Sequence, residues 1–460
     1  MKRNTDMLNG SLLSGILWYT VPIILTSLLQ LLFNAADLVI VGRYCGSIYV
    51  GAVGATGAIT GLVVNLFIGL SVGTGVTVAH GLGGQQNEEV RRAVHTALPT
   101  AIVGGALLTV IGLIFTPTLL TLMKTPENVL PLSVRYMRIY FCGMVFSMVY
   151  NFCASILRAA GDTKSPLLYL TIAGVVNVIL NIFFVTVFQM DVAGVALATI
   201  ISQAVSAVLV VIALTHRTDA CKLVLRQMCF YKKQFLTIIR IGLPAGIQSS
   251  LFSISNVIIQ SSINSFGSDA IVAGNSAAGN VEGFVYVIMN SFHQAVVNYI
   301  GQNRGAHRFD RIKKIFAICA GYVTVFGMVS GFTVWLFGEE LLSIYITDST
   351  EAIASGLIRF NFIALPYFLC GLMDVSTGAL RGLGSSFTPM VVSVLGVCGI
   401  RIVWIYTIFQ VPAYHTPEML YITYSISWII TFLVQTSIFI VLYKKKARLE
   451  SLQNTQRSIL

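Results

Sequence analysis

Apolar residues run along this chain in unbroken stretches of about twenty positions, separated by short segments that hold most of the charge. A half-buried strand would alternate apolar and polar positions, and a surface helix would carry one polar face. Neither period is present. About twenty apolar residues, at a rise of about 1.5 Å each, match the roughly 30 Å hydrocarbon core of a bilayer. Breaks at charged and turn-forming residues predict about twelve helical spans: Leu12–Val41, Val50–Val78, Ala93–Phe115, Ser133–Leu157, Leu167–Phe188, Ala193–Leu214, Phe235–Asn264, Ile271–Ile300, Ile315–Phe337, Ser355–Leu380, Pro389–Phe409 and Met419–Leu442.

The same pattern repeats within the chain. At an offset near 222, Val21-Pro22 falls on Leu243-Pro244 and Gly84 falls on Gly305. Ile156-Leu-Arg-Ala-Ala-Gly161 falls on Ala379-Leu-Arg-Gly-Leu-Gly384, and Pro166 falls on Pro389. The sequence therefore predicts two pseudo-symmetric six-helix lobes around a central cavity, 1–214 and 235–442, with a polar, basic linker at 215–234 and a basic tail at 443–460. An even number of spans in each half gives the repeats one orientation, about an axis along the membrane normal.

Composition agrees with the pattern. With 56% hydrophobic and 10% charged residues and a mean hydropathy of +0.82, the chain is not a soluble globular protein, since those carry about 25% charge. The reading is an all-α polytopic membrane protein, and no cleavable signal peptide is expected. The net charge of +11 follows topology rather than a nucleic-acid partner. Of the 29 Lys and Arg, all but Arg43, Lys124, Arg135, Arg138, Arg359 and Arg401 fall on one side, with Lys2, Arg3 and the Lys444–Lys446 run among them. That excess predicts that both termini are cytoplasmic in a cell-membrane protein. The eight cysteines are scattered, without a CxxC pair, and are expected to be free thiols.

Charge inside the apolar spans is rare. Three carboxylates lie well within them, Asp37, Glu282 and Asp374, and Arg401 is expected to be the one buried base. An intramembrane carboxylate costs several kcal/mol, or about 2.5 to 3.5 on insertion scales, so a function or a partner has to offset it. Asn177 and Asn181, at i and i+4, share one helix face. Together with Thr199 they fall at the depth of Asp37 in the outer half of the first lobe. A carboxylate, two amide oxygens and a hydroxyl suit a hard cation such as Na⁺, and the carboxylate alone suits a proton. These four residues are the candidate ion-coupling site. The plainer alternative is that they join neighbouring helices.

In the second lobe, Glu282, Asp374 and Arg401 are further candidates for the site, and Arg401 could instead pair with Asp374 or Glu282, which would make that acid structural. His293 reads more simply as a satisfied polar residue than as a proton carrier. Pro22 and Pro244 mark either tolerated kinks or hinges. Phe33, Tyr19, Tyr150 and Tyr286 either line a cavity for aromatic cations or pack between helices. Enzyme motifs are absent: there is no Walker loop and no HExxH, and His80 and His95 lack a carboxylate framework. The glycines of Gly73–Gly84 follow no strand and fit tight helix packing and a turn better than a nucleotide loop. With no ATP site, active transport would draw on an ion gradient, and no cofactor is expected.

These motifs resemble the multidrug and toxic compound extrusion (MATE) transporters over essentially the whole chain. The likeness rests on the Pro22 helix with Asp37-Leu-Val-Ile-Val-Gly-Arg43, Gly69-Leu-Ser-Val-Gly73, Leu157-Arg-Ala-Ala-Gly-Asp-Thr-Lys-Ser-Pro166, Leu380-Arg-Gly-Leu-Gly384 and Gly301-Gln-Asn-Arg-Gly-Ala306. The resemblance implies efflux of cationic or amphipathic small molecules in exchange for H⁺ or Na⁺. It also implies that Asp37, Asn177, Asn181 and Thr199 match the first-lobe site, and that Asp374 matches an acidic helix 10 position. Some members carry aspartate where Asn181 stands, and several carry a helix 7 glutamate that Phe235–Asn264 lacks. The alternative is a flippase of lipid-linked precursors, which would need a cavity rich in Arg and Lys. The chain is expected to act as a monomer.

Overall fold

The computed structural model describes residues 5–123, 125–347 and 349–459. Lys2, Arg3 and Lys124, used above to orient the chain, lie outside them. Among the described residues there are no strands. The first half contains α1 (Leu12–Tyr44), α2 (Ser47–Gly83), α3 (Asn87–Leu122), α4 (Leu130–Cys142), α5 (Met144–Ala159), α6 (Lys164–Thr186) and α7 (Val192–Thr215). The second contains α8 (Lys232–Asn264), α9 (Asp269–Gly305), α10 (Phe309–Leu336), α11 (Gly338–Ser343), α12 (Thr350–Arg359), α13 (Tyr367–Gly382), α14 (Phe387–Ser393), α15 (Ile400–Tyr406) and α16 (Pro417–Ile459).

Among the described residues, nine helical segments are long and apolar enough to cross a membrane, and two bent pairs raise the number to eleven. The twelfth expected span is α9. It is 37 residues long, but Asn275, Asn280, Glu282 and Asn290 dilute its apolar content. The two bends were not expected. α4 and α5 meet at 47°, and α12 with its π-helical extension meets α13 at 43°. The first bend falls at Gly143 and the second at Pro366, positions related by the same offset that carries Gly161 onto Gly384. Proline lacks the N–H that would continue the helix, and its ring crowds the preceding turn.

The repeat extends to backbone geometry. α1 and α8 are each 33 residues long and run continuously through Pro22 and Pro244. α2 and α9 are each 37. Left-handed residues recur in register: Gln85 (φ 54°) with His307 (φ 57°), and Gly161 (φ 87°) with Gly384 (φ 76°). A loop that leaves a helix through a positive φ is what the Arg-x-x-Gly motifs encode.

The chain forms two compact units, Met1–Asp6 with Val21–Ser250, and Met7–Thr20 with Leu251–Leu460. In the first, α5 is the central element, packed on α2, α3 and α7. In the second, α13 holds the equivalent place, packed on α9, α10 and α16. Small residues permit these contacts. Within the first unit, a Cβ on Gly69 or Gly73 would overlap the backbone of α8 at Gly246 or Ile238. The linker is fastened to α3: Val224 N donates to His95 Nε2 at 3.1 Å, and Lys233 Nζ reaches Glu89 Oε1 at 2.8 Å. In that linker, burial raises the Asp219 carboxyl, but the Arg217 hydrogen bond and charge outweigh it and hold the group below the usual carboxylate range.

Candidate functional site

Asp37 sits on the last two turns of α1, seven residues before Tyr44, or about 10 Å along the axis. The flanking sequence offers it no polar neighbour, so its partners come from other helices. Asn181 on α6 is fully buried and donates its amide to Asp37 Oδ1 at 2.5 Å. The same nitrogen lies 3.2 Å from Asn177 Oδ1, one turn earlier, as the i, i+4 spacing requires. Asn177 in turn reaches Thr199 Oγ1 on α7 at 3.5 Å, and Thr199 donates its own proton to the Val195 carbonyl at 2.9 Å. The structure thus brings the four first-lobe candidates into one chain of polar contacts.

The polarity of that chain has a chemical consequence. Asn181 donates to the carboxylate and to Asn177 Oδ1, while Asn177 donates away from the carboxylate to Thr199 and Thr199 donates to backbone. Asn181 Oδ1 is buried with no partner among the described residues, and no donor there reaches Asp37 Oδ2. Two unfilled oxygens beside a carboxylate form an acceptor set that a cation or a proton completes. Tyr136 and Tyr140 stand within electrostatic reach of the same carboxylate.

The second unit differs from expectation. Glu282, on α9, pairs with Arg359 and not with Arg401: Nε donates to Oε1 at 3.0 Å and Nη2 to Oε2 at 2.6 Å. Arg359 Nη1 also donates to Asn275 Oδ1 at 2.5 Å, where Tyr421 Oη joins at 3.3 Å. Arg401 is therefore not the one buried base. Arg359 (9% exposed) and Arg381 (6%) are buried beside it. Nor does Arg401 pair with Asp374, because its Nε donates to Ser427 Oγ at 3.1 Å and its guanidinium lies 3.9 Å over the Tyr424 ring. Arg359 was missed because it stands near a span end, where a long base usually snorkels to water. Its position inside the apolar run Ile358-Arg-Phe-Asn-Phe-Ile363 was the available signal.

Asp374 and His293 are brought together, but through the Asp374 backbone. His293 Nδ1 is 2.7 Å from the Asp374 carbonyl, and Arg381 Nη1 donates to His293 Nε2 at 3.2 Å. Nδ1 thus faces an acceptor and Nε2 a donor, which suits the tautomer with its proton on Nδ1. Of the four aromatics, three pack between elements. Tyr19 is edge-on to Tyr299 at 5.5 Å, Tyr150 donates to the Pro166 carbonyl at 3.2 Å, and Phe33 fills the space over Gly174. Tyr286 is 39% exposed.

With that geometry in view, comparison with known proteins is informative. The MatE family profile matches residues 22–183 and 244–407, two segments that open on the repeat-related Pro22 and Pro244. The chain is 29% identical over 392 residues to "Probable multidrug resistance protein YoeA" of Bacillus subtilis (strain 168), covering 84% of each. It is 26% identical to "Probable multidrug resistance protein NorM" of Thermotoga maritima, covering 82% of this chain and 81% of that one. Among solved structures, a MATE protein in complex with MaL6 superposes with a TM-score of 0.90 at 18% identity, covering 97% of this chain and 100% of that one. The outward-facing conformation of a multidrug resistance MATE family transporter gives 0.88 at 19%, covering 96% and 99%.

Proposed function

The chain belongs to the MATE family, and on that premise we propose that it is a secondary antiporter that exports cationic or amphipathic small molecules in exchange for H⁺ or Na⁺. The observation that carries this reading is the Asp37 chain: a carboxylate within an apolar helix, held by Asn181 at 2.5 Å and adjoining an unfilled amide oxygen. An ion bound there biases the protein between its two access states by no more than its difference in affinity for them. Both termini are cytoplasmic in this proposal, and one chain suffices for transport. The two halves, 1–214 and 235–442, are the parts that move.

The flippase reading calls for a cavity rich in Arg and Lys, and of the three buried arginines among the described residues of the second unit two have partners, Glu282 for Arg359 and His293 for Arg381. Purified protein in ethidium-loaded vesicles tests the antiporter. Dye should leave when a pH or Na⁺ gradient is imposed. No gradient-dependent efflux under either condition refutes the proposal.

A further inference from the structure

The second unit buries more positive than negative charge. Its buried ionic side chains, among the described residues, are Glu282 and Asp374 against Arg359, Arg381 and Arg401. Glu282 is taken by Arg359, and Asp374 lies in the field of Arg381. Arg401 is left over. It is 3% exposed, and no carboxylate of the described residues comes within ion-pair distance of it. Of its five N–H groups only Nε has an acceptor, Ser427 Oγ at 3.1 Å. Its two terminal nitrogens make no hydrogen bond to a described residue and are not sealed from solvent. A buried guanidinium without an anion is costly, and stacking on a ring offsets only a small part of that cost.

The surroundings indicate what would complete it. The guanidinium carbon lies 3.9 Å from the centre of the Tyr424 ring, and the terminal nitrogens that make no hydrogen bond to a described residue are the fork that binds carboxylate or phosphate through two parallel bonds. Tyr424 and Trp428 meet edge-on at 5.7 Å, and Trp428 continues to Tyr367 at 5.4 Å, so a cluster of aromatic rings adjoins the guanidinium, which is 5.9 Å from the Trp428 ring. Arg401 is the second residue after the π-helical stretch Val394–Gly399, and Arg359, whose guanidinium is 5.9 Å from the same Tyr424 ring, directly precedes the π-helical stretch Phe360–Ala364. Such bulges recur at functional sites because they re-aim side chains.

We infer that Arg401, held by Ser427 and flanked by the Tyr424, Trp428 and Tyr367 rings, is an oxyanion subsite for the carboxylate or phosphate of an amphipathic aromatic substrate. This rests on the transport reading above and narrows it, since it selects zwitterionic or anionic compounds over simple cations. The test uses rhodamine 6G, a cationic ester, and its free acid, which differ only in the carboxylate, with binding to the full chain in nanodiscs read by fluorescence anisotropy.

Wild type should bind the free acid, and Arg401→Gln should weaken that binding by about tenfold or more while changing ester binding less than about twofold. Phenyl phosphate should displace the free acid from the wild type, a measurement that does not depend on a variant that folds. If Arg401→Gln leaves the ratio of acid to ester affinity unchanged, or phenyl phosphate displaces nothing, the subsite is refuted. If gradients drive neither dye, the antiporter proposal falls, while the binding contrast is judged separately.

Discussion

Replacing Glu282 by Gln removes the only carboxylate among the described residues that Arg359 touches. Both partners are nearly inaccessible, at 4% and 9% exposure, and the pair is a two-bond fork of 2.6 and 3.0 Å. Breaking such a pair costs about 3–5 kcal/mol, because the surviving charge stays buried. Glutamine still offers Arg359 one oxygen, which places the cost near the lower end. For a unit of roughly 200 residues each kcal/mol lowers the midpoint by roughly 2–4 °C, so Glu282→Gln should melt roughly 6–12 °C below the wild type. The double variant Glu282→Gln with Arg359→Met leaves no unpaired charge and should recover most of that loss. The buried thiols Cys319 and Cys370 lie in the same unit, so a thiol-reactive dye reports its unfolding directly. A single variant within about 2 °C of the wild type, or a double variant whose loss is the sum of the two singles, would refute the role assigned to the pair.

Asp37→Asn should abolish gradient-driven efflux while leaving the melting midpoint within about 2 °C, and normal efflux by that variant would remove Asp37 from the mechanism. Asn181→Asp places a second acid beside Asp37 and should increase the Na⁺ dependence of transport, measured as the Na⁺ concentration at half-maximal efflux. Exposed Cys229 lies in the linker, so an impermeant maleimide should label it in cells only after permeabilisation if the termini are cytoplasmic. Asp219, whose carboxyl is held below its ordinary value, supports the linker above about pH 4 and loses that support as pH falls through its lowered value. Amide protection factors of residues 216–231, corrected for the intrinsic pH dependence of exchange, should therefore stay flat from about pH 8 to 5 and fall only in stronger acid.

The spans and the first-lobe set were legible because a bilayer makes polarity conspicuous. Asp37, Asn177, Asn181 and Thr199 each stand out against apolar neighbours, and helical spacing places the two amides on one face. The bent spans were not legible, since Gly143 and Pro366 are ordinary residues to find in a membrane helix and the bend depends on what packs there. Arg359 was hidden for a different reason. Near a span end a long base can snorkel or turn inward with equal ease, and its partners, Glu282 and Asn275, lie far away in sequence on α9. Tyr19 and Tyr150 were left open between two readings, because spacing does not distinguish a ring facing a cavity from one facing a neighbour, and both pack against neighbours.

A repeat with matched helix lengths and matched left-handed turns would ordinarily carry matched chemistry. Here the scaffold is shared and the charge is not. The first unit leaves oxygens unfilled beside Asp37, and the second leaves N–H groups unfilled on Arg401. In the two proposals above each deficit takes a partner of opposite sign, and each is set by a handful of side chains rather than by the backbone. The sign of the bound group can therefore change through one or two substitutions within spans whose packing, fixed by glycines such as Gly69, Gly73 and Gly378, is left untouched. Transporters of one fold can differ in what they carry for that reason, and the residues that decide it are those whose hydrogen-bonding capacity the protein itself does not satisfy.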